Sequence, residues 1–132
     1  MKVYTLKKEQ KISKNILEVF EFFSRPENLA TITPPKMNFN ILGFPVRWRT
    51  LITKYDPPNI FVDQQLKGPY SLWHHTHTFK KINEKETLIL DVVVYSIPFS
   101  FIGSLVHSVY IKKDLDKIFS FRAEKIKEIF ND

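Results

Sequence analysis

Alternation of apolar and polar residues is clearest between residues 73 and 95, where two strand-like segments flank a short polar turn. Residues 73–79 and 87–95 are rich in β-branched and aromatic side chains, and Asn83, Glu84 and Lys85 separate them. Successive side chains of a strand point to opposite faces, so the odd-numbered positions of each segment share one face. The pattern predicts a β-hairpin.

The turn length decides which residues of this hairpin face each other. A three-residue loop gives three facing pairs, which are Trp73 with Tyr95, His75 with Val93, and His77 with Asp91. A slip of two residues would set His75 against Asp91 and keep the same face. Two histidines, a carboxylate, a phenol and an indole on one surface form either a satisfied polar core or a functional site.

Helical and extended patterns fill the rest of the chain. Residues 3–12 read as a first strand, and the spacing of Asn15 and Glu18 suits a capping box. An apolar stripe then predicts a short amphipathic helix through Ile16, Val19, Phe20 and Phe23. A second brief helix is expected at 27–32, followed by strands at 37–42, 46–55 and 61–66.

A long helix is predicted from about residue 105 to residue 130. Its charged residues surround an apolar stripe formed by Ile111, Leu115, Ile118, Phe119, Ile126, Ile129 and Phe130. Arg122 falls inside the stripe, and a buried guanidinium requires a carboxylate or several acceptors. The stripe is therefore expected to lie on the sheet, with Arg122 paired or exposed to a ligand.

Length and composition narrow the class of protein. With 132 residues the chain is expected to form one domain over 1–132. It has no cysteine, which excludes disulfide scaffolds and cysteine-based metal or redox sites. The first residues lack the apolar run of a signal peptide, so a cytoplasmic location without a stable membrane anchor is expected. The net charge of +6 is dispersed among acidic residues, and no nucleic-acid partner is expected.

The order of these segments and several short sequence motifs within them resemble those of a known group of proteins. The motifs are Pro34-Pro35 before Met37, Trp48 to Ile52, Phe61 to Gln65, Gly68-Pro69-Tyr70, Trp73 to Phe79, Asp91 to Tyr95 with Pro98, and Ile118 to Arg122. Together they are similar to bacterial ligand-binding proteins of the SRPBCC group, which share the helix-grip fold of START domains and the birch-pollen allergen. The resemblance implies an α+β fold in which a curved antiparallel sheet grips a long carboxy-terminal helix around a ligand cavity, with two short helices after strand 1.

The chain departs from that group at one point. Relatives usually have room for a further strand between the segments that match 37–42 and 46–55, whereas only Gly43, Phe44 and Pro45 intervene here. A missing edge strand is expected, which leaves six strands and opens one side of the cavity.

Composition indicates which face of the sheet lines the cavity. Aromatic residues cluster at odd-numbered positions, and the even-numbered positions would bury several long cations. The expected ligand-binding residues therefore combine Trp48 and the odd-numbered strand residues with three helix residues: Trp48, Phe61, Asp63, Gln65, Trp73, His75, His77, Phe79, Asp91, Val93, Tyr95, Leu115, Phe119 and Arg122.

The same assignment turns an aliphatic row outward, formed by Leu88, Leu90, Val92 and Val94. An exposed row of this kind usually meets a partner, and a homodimer through this face is one interpretation. A bulge that locally reverses the strand is the other.

The polar residues among the expected lining have more than one reading. His75 and His77 could be core imidazoles bonded to Asp91, or could form a two-histidine, one-carboxylate metal set with it, although no metal or other cofactor is expected. Asp63 and Arg122 could form a buried ion pair between sheet and helix. Alternatively, Arg122 could hold the carboxylate or phosphate of a ligand.

Two functional classes follow. In the first, the cavity binds or transports a small hydrophobic or amphipathic molecule such as a lipid, polyketide or aromatic acid. In the second, the domain is an enzyme similar to polyketide cyclases or dehydratases, in which His75, His77, Asp91 and Tyr95 are the catalytic candidates. Binding is favoured, because the chain has no nucleophile motif and no phosphate-binding glycine loop.

Overall fold

An antiparallel sheet and a long carboxy-terminal helix form the framework of the protein. The computed structural model describes residues 3–32, 40–41, 44–45, 49–67, 70–97 and 111–130. Trp48 and the amino-terminal part of the predicted long helix, residues 105–110, lie outside the described residues. The elements in chain order are β1 (Tyr4–Ile12), α1 (Ile16–Phe23), α2 (Pro26–Thr31), β2 (Asn40–Ile41), β3 (Phe44–Pro45), β4 (Arg49–Asp56), β5 (Ile60–Lys67), β6 (Leu72–Asn83), β7 (Glu86–Ser96) and α3 (Lys112–Phe130).

The main sheet has five strands in the order β1-β7-β6-β5-β4, and each pairing is antiparallel. The expectation of six strands was wrong. Within the described residues, β2 and β3 pair only with each other in a separate two-stranded sheet. Two residues separate Ile41 from Phe44, a spacing that favours a local hairpin. Pro45 has no N–H to donate to a ladder, which further limits this segment.

The central hairpin has the predicted register. Its facing pairs include Trp73 with Tyr95, His75 with Val93, and His77 with Asp91. The register is continuous from the pair of Leu72 and Ser96 to the pair of Lys81 and Thr87, and one irregularity follows before Asn83. That irregularity lets a two-residue turn replace the expected three-residue loop without moving the histidines to the other face.

The two faces of the hairpin differ as the composition indicated. On the concave face, the odd-numbered residues of both strands from Trp73 to Phe79 and from Thr87 to Tyr95 are buried. On the convex face, Leu88, Leu90, Val92 and Val94 are each half-buried. No register shift occurs along this part of the hairpin, so a bulge does not account for the aliphatic row. A homodimer through the row stays a prediction.

Helix α1 begins at the predicted cap. The Asn15 side chain accepts a hydrogen bond from the Leu17 backbone N–H at 2.9 Å, and its amide group donates to the Glu84 carbonyl in the hairpin turn. This satisfies one orphan N–H of the helix and ties its first turn to the sheet. The buried face of α1 consists of the predicted stripe, Ile16, Val19, Phe20 and Phe23.

Helix α3 lies with part of its predicted stripe against the sheet. Its buried residues are Leu115, Phe119, Ile126 and Phe130, whereas Ile118 is half-buried. Ile129 is 37% exposed, so its assignment to the buried stripe was wrong. One residue corresponds to about 100° of rotation around a helix, which turns Ile129 away from the face that Phe130 occupies. None of the described helices is long and apolar enough to cross a membrane.

The buried apolar residues form two clusters at opposite ends of the concave face. The first joins α1, the turn end of the hairpin and the carboxy-terminal part of α3; it contains Ile12, Ile16, Val19, Phe20, Phe23, Ile32, Phe61, Phe79, Ile89, Ile126 and Phe130. The second lies near the other end of the hairpin and contains Trp73, Val93, Tyr95, Ile97, Ile111, Leu115 and Phe119. The buried polar residues His75, His77 and Asp91 belong to neither apolar cluster.

Replacing Ile126 by Ala tests the packing of α3 on the sheet. Ile126 is fully buried, so its truncation should lower the free energy of unfolding by about 2–5 kcal/mol. Ile129→Ala on the same helix removes the same atoms from a partly exposed position and should cost less than about 1 kcal/mol. Urea unfolding of both variants measures the difference; equal losses would contradict this placement of the helix.

Candidate ligand-binding site

Five charged and polar side chains converge on the concave face of the sheet. Asp63 on β5, His75 and His77 on β6, Asp91 on β7, and Arg122 on α3 form what we term the polar cluster. The strand register brings four of them together, because Asp63 faces His75 and His77 faces Asp91 across adjacent strands. All four carry the inward-facing parity of their strands, and α3 supplies the guanidinium from above.

Short contacts connect the members of the polar cluster. His75 Nε2 lies 2.8 Å from Asp91 Oδ1, and His77 Nε2 lies 2.6 Å from Asp63 Oδ2. Arg122 Nη2 donates to the same Asp91 oxygen at 3.2 Å. The side chains of His75, His77 and Asp91 each retain less than a tenth of their exposed surface. Both carboxylates are therefore held by nitrogen donors, as buried charges require.

Aromatic rings enclose the two imidazoles. The His75 and His77 rings stack with their centroids 3.7 Å apart, and Phe61 stacks on His77 at 4.0 Å. Trp73 and Phe119 approach His75 at 6.2 and 6.0 Å with their rings tilted or edge-on. These contacts fix the orientation of both imidazoles and strengthen the electrostatic interactions inside the cluster by lowering the local dielectric.

The two ring nitrogens of His77 each face a carboxylate. Nε2 is bonded to Asp63, while Nδ1 lies 3.4 Å from Asp91 Oδ1 without forming a hydrogen bond and has no other partner among the described residues. A neutral imidazole that donates from Nε2 directs a lone pair from Nδ1 towards Asp91, whereas an imidazolium presents an N–H at both nitrogens. His77 Nδ1 thus faces a carboxylate oxygen without a hydrogen bond to it.

His75 is held in its neutral form. Burial lowers its pKa to about 4, and the neighbouring His77 acts in the same direction, although the hydrogen bond to Asp91 opposes the shift. Desolvation disfavours the charged imidazolium at this fully enclosed position. Neutral His75 then donates its Nε2–H to Asp91 and keeps its lone pair on Nδ1.

Both carboxylates remain ionised despite their burial. Burial raises the pKa of Asp91, but the charge of Arg122 and the hydrogen bond from His75 outweigh it and hold that pKa well below its usual range. Burial likewise raises the pKa of Asp63, and the hydrogen bond from His77 with the nearby positive charges lowers it to a net value below the ordinary one. Opposite charges and donated hydrogen bonds favour the ionised form.

The polar cluster therefore has a charge imbalance that one proton can remove. Two carboxylates and one guanidinium sum to a single negative charge when both imidazoles are neutral. One added proton makes the cluster neutral, and a second would place two cationic rings in a stack 3.7 Å apart. Like charges at that distance repel strongly away from water, so the cluster accommodates one proton more readily than two.

Three neighbouring side chains also belong to residue types that commonly bind metal ions. Asp63, His75 and His77 offer ligand atoms within 4.8 Å of one another, so the carboxylate of this set is Asp63 rather than Asp91. However, an imidazole binds a metal through a lone pair in the plane of its ring. The lone pairs of two stacked rings run side by side and do not converge on one ion. The arrangement suits hydrogen bonds and a proton better than a metal.

Arg122 pairs with Asp91 and not with Asp63. The predicted ion pair between Asp63 and Arg122 was wrong. Asp63 is hydrogen-bonded to His77 instead, and His77 in turn faces Asp91 on β7. The guanidinium carbon of Arg122 also lies 5.3 Å from the Phe23 ring centre and 5.6 Å from that of Phe119. Its Nε is buried and has no hydrogen-bond partner among the described residues.

Other expected lining residues surround the polar cluster without joining it. Phe61, Trp73 and Phe119 contact its rings, whereas Phe79, Val93, Tyr95 and Leu115 are buried in the apolar clusters. Tyr95 is four residues beyond Asp91 on β7, a separation of about 13 Å along the strand. Burial raises the pKa of Tyr95 to about 12, which keeps its hydroxyl protonated.

Gln65 has a local structural role. Its side-chain amide donates to the Tyr70 carbonyl at 2.6 Å and accepts from the Tyr70 N–H at 3.1 Å. These two hydrogen bonds brace the connection between β5 and β6 and occupy the amide group. Gln65 is therefore separate from the polar cluster, although its strand parity suggested that it belonged there.

A groove of about 160 Å³ gives access to the polar cluster between β1 and α3. Its walls consist of Lys8, Glu9, Gln10, Asp91, Phe119, Ser120, Arg122 and Ala123. Lys8 faces Asp91 across the pairing of β1 with β7. This groove was not predicted from the sequence. Lys8 and Gln10 interrupt the inward-facing series Tyr4, Leu6 and Ile12, but that interruption does not locate the small residues of α3.

No family model and no curated protein matches the sequence, but solved structures match its fold. An aromatase/cyclase from a Streptomyces species has a TM-score of 0.70 at 10% identity, with 97% of this chain and 96% of that chain covered. A norcoclaurine synthase from Thalictrum flavum has a TM-score of 0.66 at 12% identity, covering 96% and 95%. A START superfamily protein from Mycobacterium smegmatis has a TM-score of 0.61 at 12% identity, covering 92% and 98%.

These structural similarities confirm the fold that the sequence motifs suggested. The chain has a START-like helix-grip fold, with an open antiparallel sheet and a carboxy-terminal helix. At this level of identity the comparison establishes architecture, and function has to be argued from the site.

Asp91→Asn tests the central acceptor of the polar cluster. The amide lacks the negative charge that Arg122 requires, so the free energy of unfolding should fall by about 3–5 kcal/mol. Asp116→Asn is the matched control, because Asp116 forms a half-exposed ion pair with Lys8 whose loss should cost less than about 1 kcal/mol. Chemical denaturation of both variants measures the contrast, and an unchanged stability in Asp91→Asn would contradict the assigned contacts.

Acidification should destabilise the protein between pH 6.5 and 4. In this window the unfolded chain protonates His75 and the folded chain does not, because the folded pKa is lowered from 6.5 to about 4. The shift corresponds to as much as about 3 kcal/mol of stability lost on going from pH 7 to pH 4. Below pH 4 the two carboxylates, whose pKa values are also lowered, add to the loss.

Histidine replacements identify the source of this pH dependence. His75→Phe should flatten the decline between pH 6.5 and 4, whereas His74→Phe, on the opposite face of the same strand, should retain it. Denaturant titrations at several pH values provide the measurement. The assignment to His75 would be refuted if the decline in stability disappeared in His74→Phe and persisted in His75→Phe.

Proposed function

We propose that this START-like domain binds a small amphipathic molecule between the sheet and α3, with the polar end of the molecule at the polar cluster. The observation that carries the proposal is the buried polar cluster itself, which lies between two apolar clusters rich in aromatic residues. A ligand with an apolar body and one polar group matches that distribution. Binding sites of this kind are mostly apolar with a few precisely oriented polar groups.

Stability alone does not explain the polar cluster. Buried ion pairs commonly contribute no more to stability than well-packed apolar residues of similar volume would. The cluster also leaves His77 Nδ1 and Arg122 Nε without hydrogen bonds within the described part of the chain. Unsatisfied buried groups cost free energy, and a ligand that completes their hydrogen bonds would recover it.

Relatives of the same fold support a small-molecule role. Two of them are an aromatase/cyclase and a norcoclaurine synthase, names that denote reactions of small organic molecules. Because their sequences are only 10% and 12% identical to this chain, they support the class of ligand and not its identity.

An enzyme similar to polyketide cyclases is the second candidate. His77 favours it, because Nδ1 lacks a hydrogen-bond partner among the described residues and could take a proton from a carbon next to a carbonyl. Asp63 would orient the ring through Nε2, and Arg122 would stabilise the developing oxyanion. His75 is less suited to this role, since a pKa of about 4 makes it a weak base at neutral pH.

Binding remains the better-supported function. Tyr95, another catalytic candidate from the sequence, is about 13 Å along β7 from Asp91 and packs within the second apolar cluster. A general base also works best when its pKa lies near the working pH, which excludes His75 from efficient proton abstraction. What remains is an oriented polar surface with a single candidate base.

Ligand uptake is expected to depend on the polar cluster. Native mass spectrometry should first detect a co-purified small molecule, and titration with a fluorescent fatty acid should give saturable binding. His77→Gln removes the ring and its proton site, so the affinity for the probe should fall about 10- to 100-fold, the equivalent of a lost hydrogen bond to a charged group. His74→Gln on the opposite face should bind like the original protein, and equal affinity in both variants would contradict the proposal.

The enzymatic candidate makes a separate prediction. A protein that abstracts protons next to carbonyl groups should accelerate deuterium exchange at the central carbon of 2,4-pentanedione, measured by NMR. The acceleration should disappear in His77→Gln and persist in His74→Gln. Exchange at the buffer rate together with saturable fatty-acid binding would leave the binding function alone.

A further inference from the structure

The groove between β1 and α3 has both Arg122 and Asp91 among its lining residues. Phe119, Ser120 and Ala123 of α3 form one wall, and Lys8 and Gln10 of β1 form the other. Ser120 and Ala123 have small side chains, so this part of α3 leaves a gap against the edge strand. Gln10 Nε2 donates to the Ala123 carbonyl at 3.1 Å and spans the gap at one end.

Arg122 has more hydrogen-bond donors than the described acceptors use. A guanidinium carries five N–H groups, and the described bond involves only Nη2, which donates to Asp91. Nε is buried without a partner within the described ranges. The guanidinium carbon also lies 5.3 Å from the Phe23 ring centre and 5.6 Å from that of Phe119. Planar, bidentate approach is the geometry by which arginine recognises carboxylates.

We propose that the groove is a carboxylate-binding subsite, in which the acid group of a small amphipathic ligand bonds to Arg122. This inference rests on the proposed binding function and names the chemical class of its ligand. Lys8 at the groove wall adds a second cation, although it also pairs with Asp116 at 3.4 Å. The volume of about 160 Å³ accommodates a carboxylate with a few carbon atoms, and the remaining apolar body would extend towards Phe119.

Binding of an acid should be coupled to uptake of a proton. With both imidazoles neutral the polar cluster already carries one net negative charge, and an added carboxylate would make it two in a poorly hydrated site. One proton taken up by the polar cluster offsets the added charge. The charged and titratable groups that face this site are Lys8 and Glu9 on β1, Asp63 on β5, His75 and His77 on β6, Asp91 on β7, and Arg122 with Asp116 on α3.

Three six-carbon probes that differ only in their polar end test the ligand class. Hexanoate, 1-hexanol and hexylamine are titrated into the protein by calorimetry at pH 6 and at pH 8. Hexanoate should bind at least tenfold more tightly than 1-hexanol at pH 6, and its affinity should fall at least threefold on going to pH 8. The affinity for 1-hexanol should not change with pH, because the alcohol adds no charge.

Two leucine substitutions on α3 test the location. Ala123→Leu fills the groove without altering a member of the polar cluster, and it should weaken hexanoate binding at least tenfold. Glu124→Leu adds the same side chain at the next, exposed position and should leave hexanoate affinity unchanged. Thermal unfolding of both variants verifies that each remains folded. If Ala123→Leu does not fold, Ser120→Val provides a smaller obstruction of the same groove.

The outcomes separate this inference from the proposed function. Equal affinity for hexanoate and 1-hexanol, or preference for hexylamine, would overturn the carboxylate subsite while leaving a ligand-binding domain. Hexanoate binding that is unaffected by Ala123→Leu would place the acid elsewhere and also overturn it. Failure of all three probes, combined with no uptake of the fluorescent fatty acid, would overturn both.

Discussion

Asp91 is the constraint on which the rest of the site depends. One of its oxygens accepts from His75 at 2.8 Å and from Arg122 at 3.2 Å, and it lies 3.4 Å from His77 Nδ1. A buried carboxylate without such partners would be protonated or would unfold the protein. Asp91 thereby links the central hairpin to α3, fixes the tautomer of neutral His75, and limits where the proposed ligand can reach Arg122.

The fold supplies these contacts from ordinary strand geometry. Alternation and register place Asp63, His75, His77 and Asp91 on one patch of the concave face, and α3 crosses that patch with Arg122. The apolar clusters on both sides provide the packing that keeps the patch dry and the rings stacked. Aromatic packing holds the sheet against the helix, and under the proposed function the polar cluster determines what can bind there.

Much of this arrangement was readable from the sequence because it follows from local periodicity. The pairing of His77 with Asp91 came from strand alternation and turn length, and the buried face of α1 came from 3.6-residue spacing. The partner of Arg122 was not readable, since Asp63 and Asp91 share the same parity and only the helix position distinguishes them. The local bonds of Gln65 and the separate pairing of β2 with β3 depend on turns, whose geometry periodicity does not determine.

The site illustrates how little of a binding function resides in a fold. The similar structures show that this sheet and helix can accompany sequences only 10–14% identical to this one. What belongs to this chain is a stacked histidine pair between two carboxylates, with a guanidinium open towards a groove at the edge strand. The groove was missed from sequence because no strand pattern indicates where two small side chains of a helix leave space.

The protonation state of His75 offers the most direct test. The contacts of the polar cluster require a neutral imidazole that donates from Nε2 to an ionised Asp91. Long-range proton–nitrogen NMR of the histidine side chains distinguishes both neutral tautomers from the imidazolium. His75 is expected to keep a protonated Nε2 and an unprotonated Nδ1 from pH 8 down to pH 5, because burial lowers its pKa to about 4. A His75 ring that becomes an imidazolium near pH 6.5, or that carries its neutral proton on Nδ1, would contradict the account.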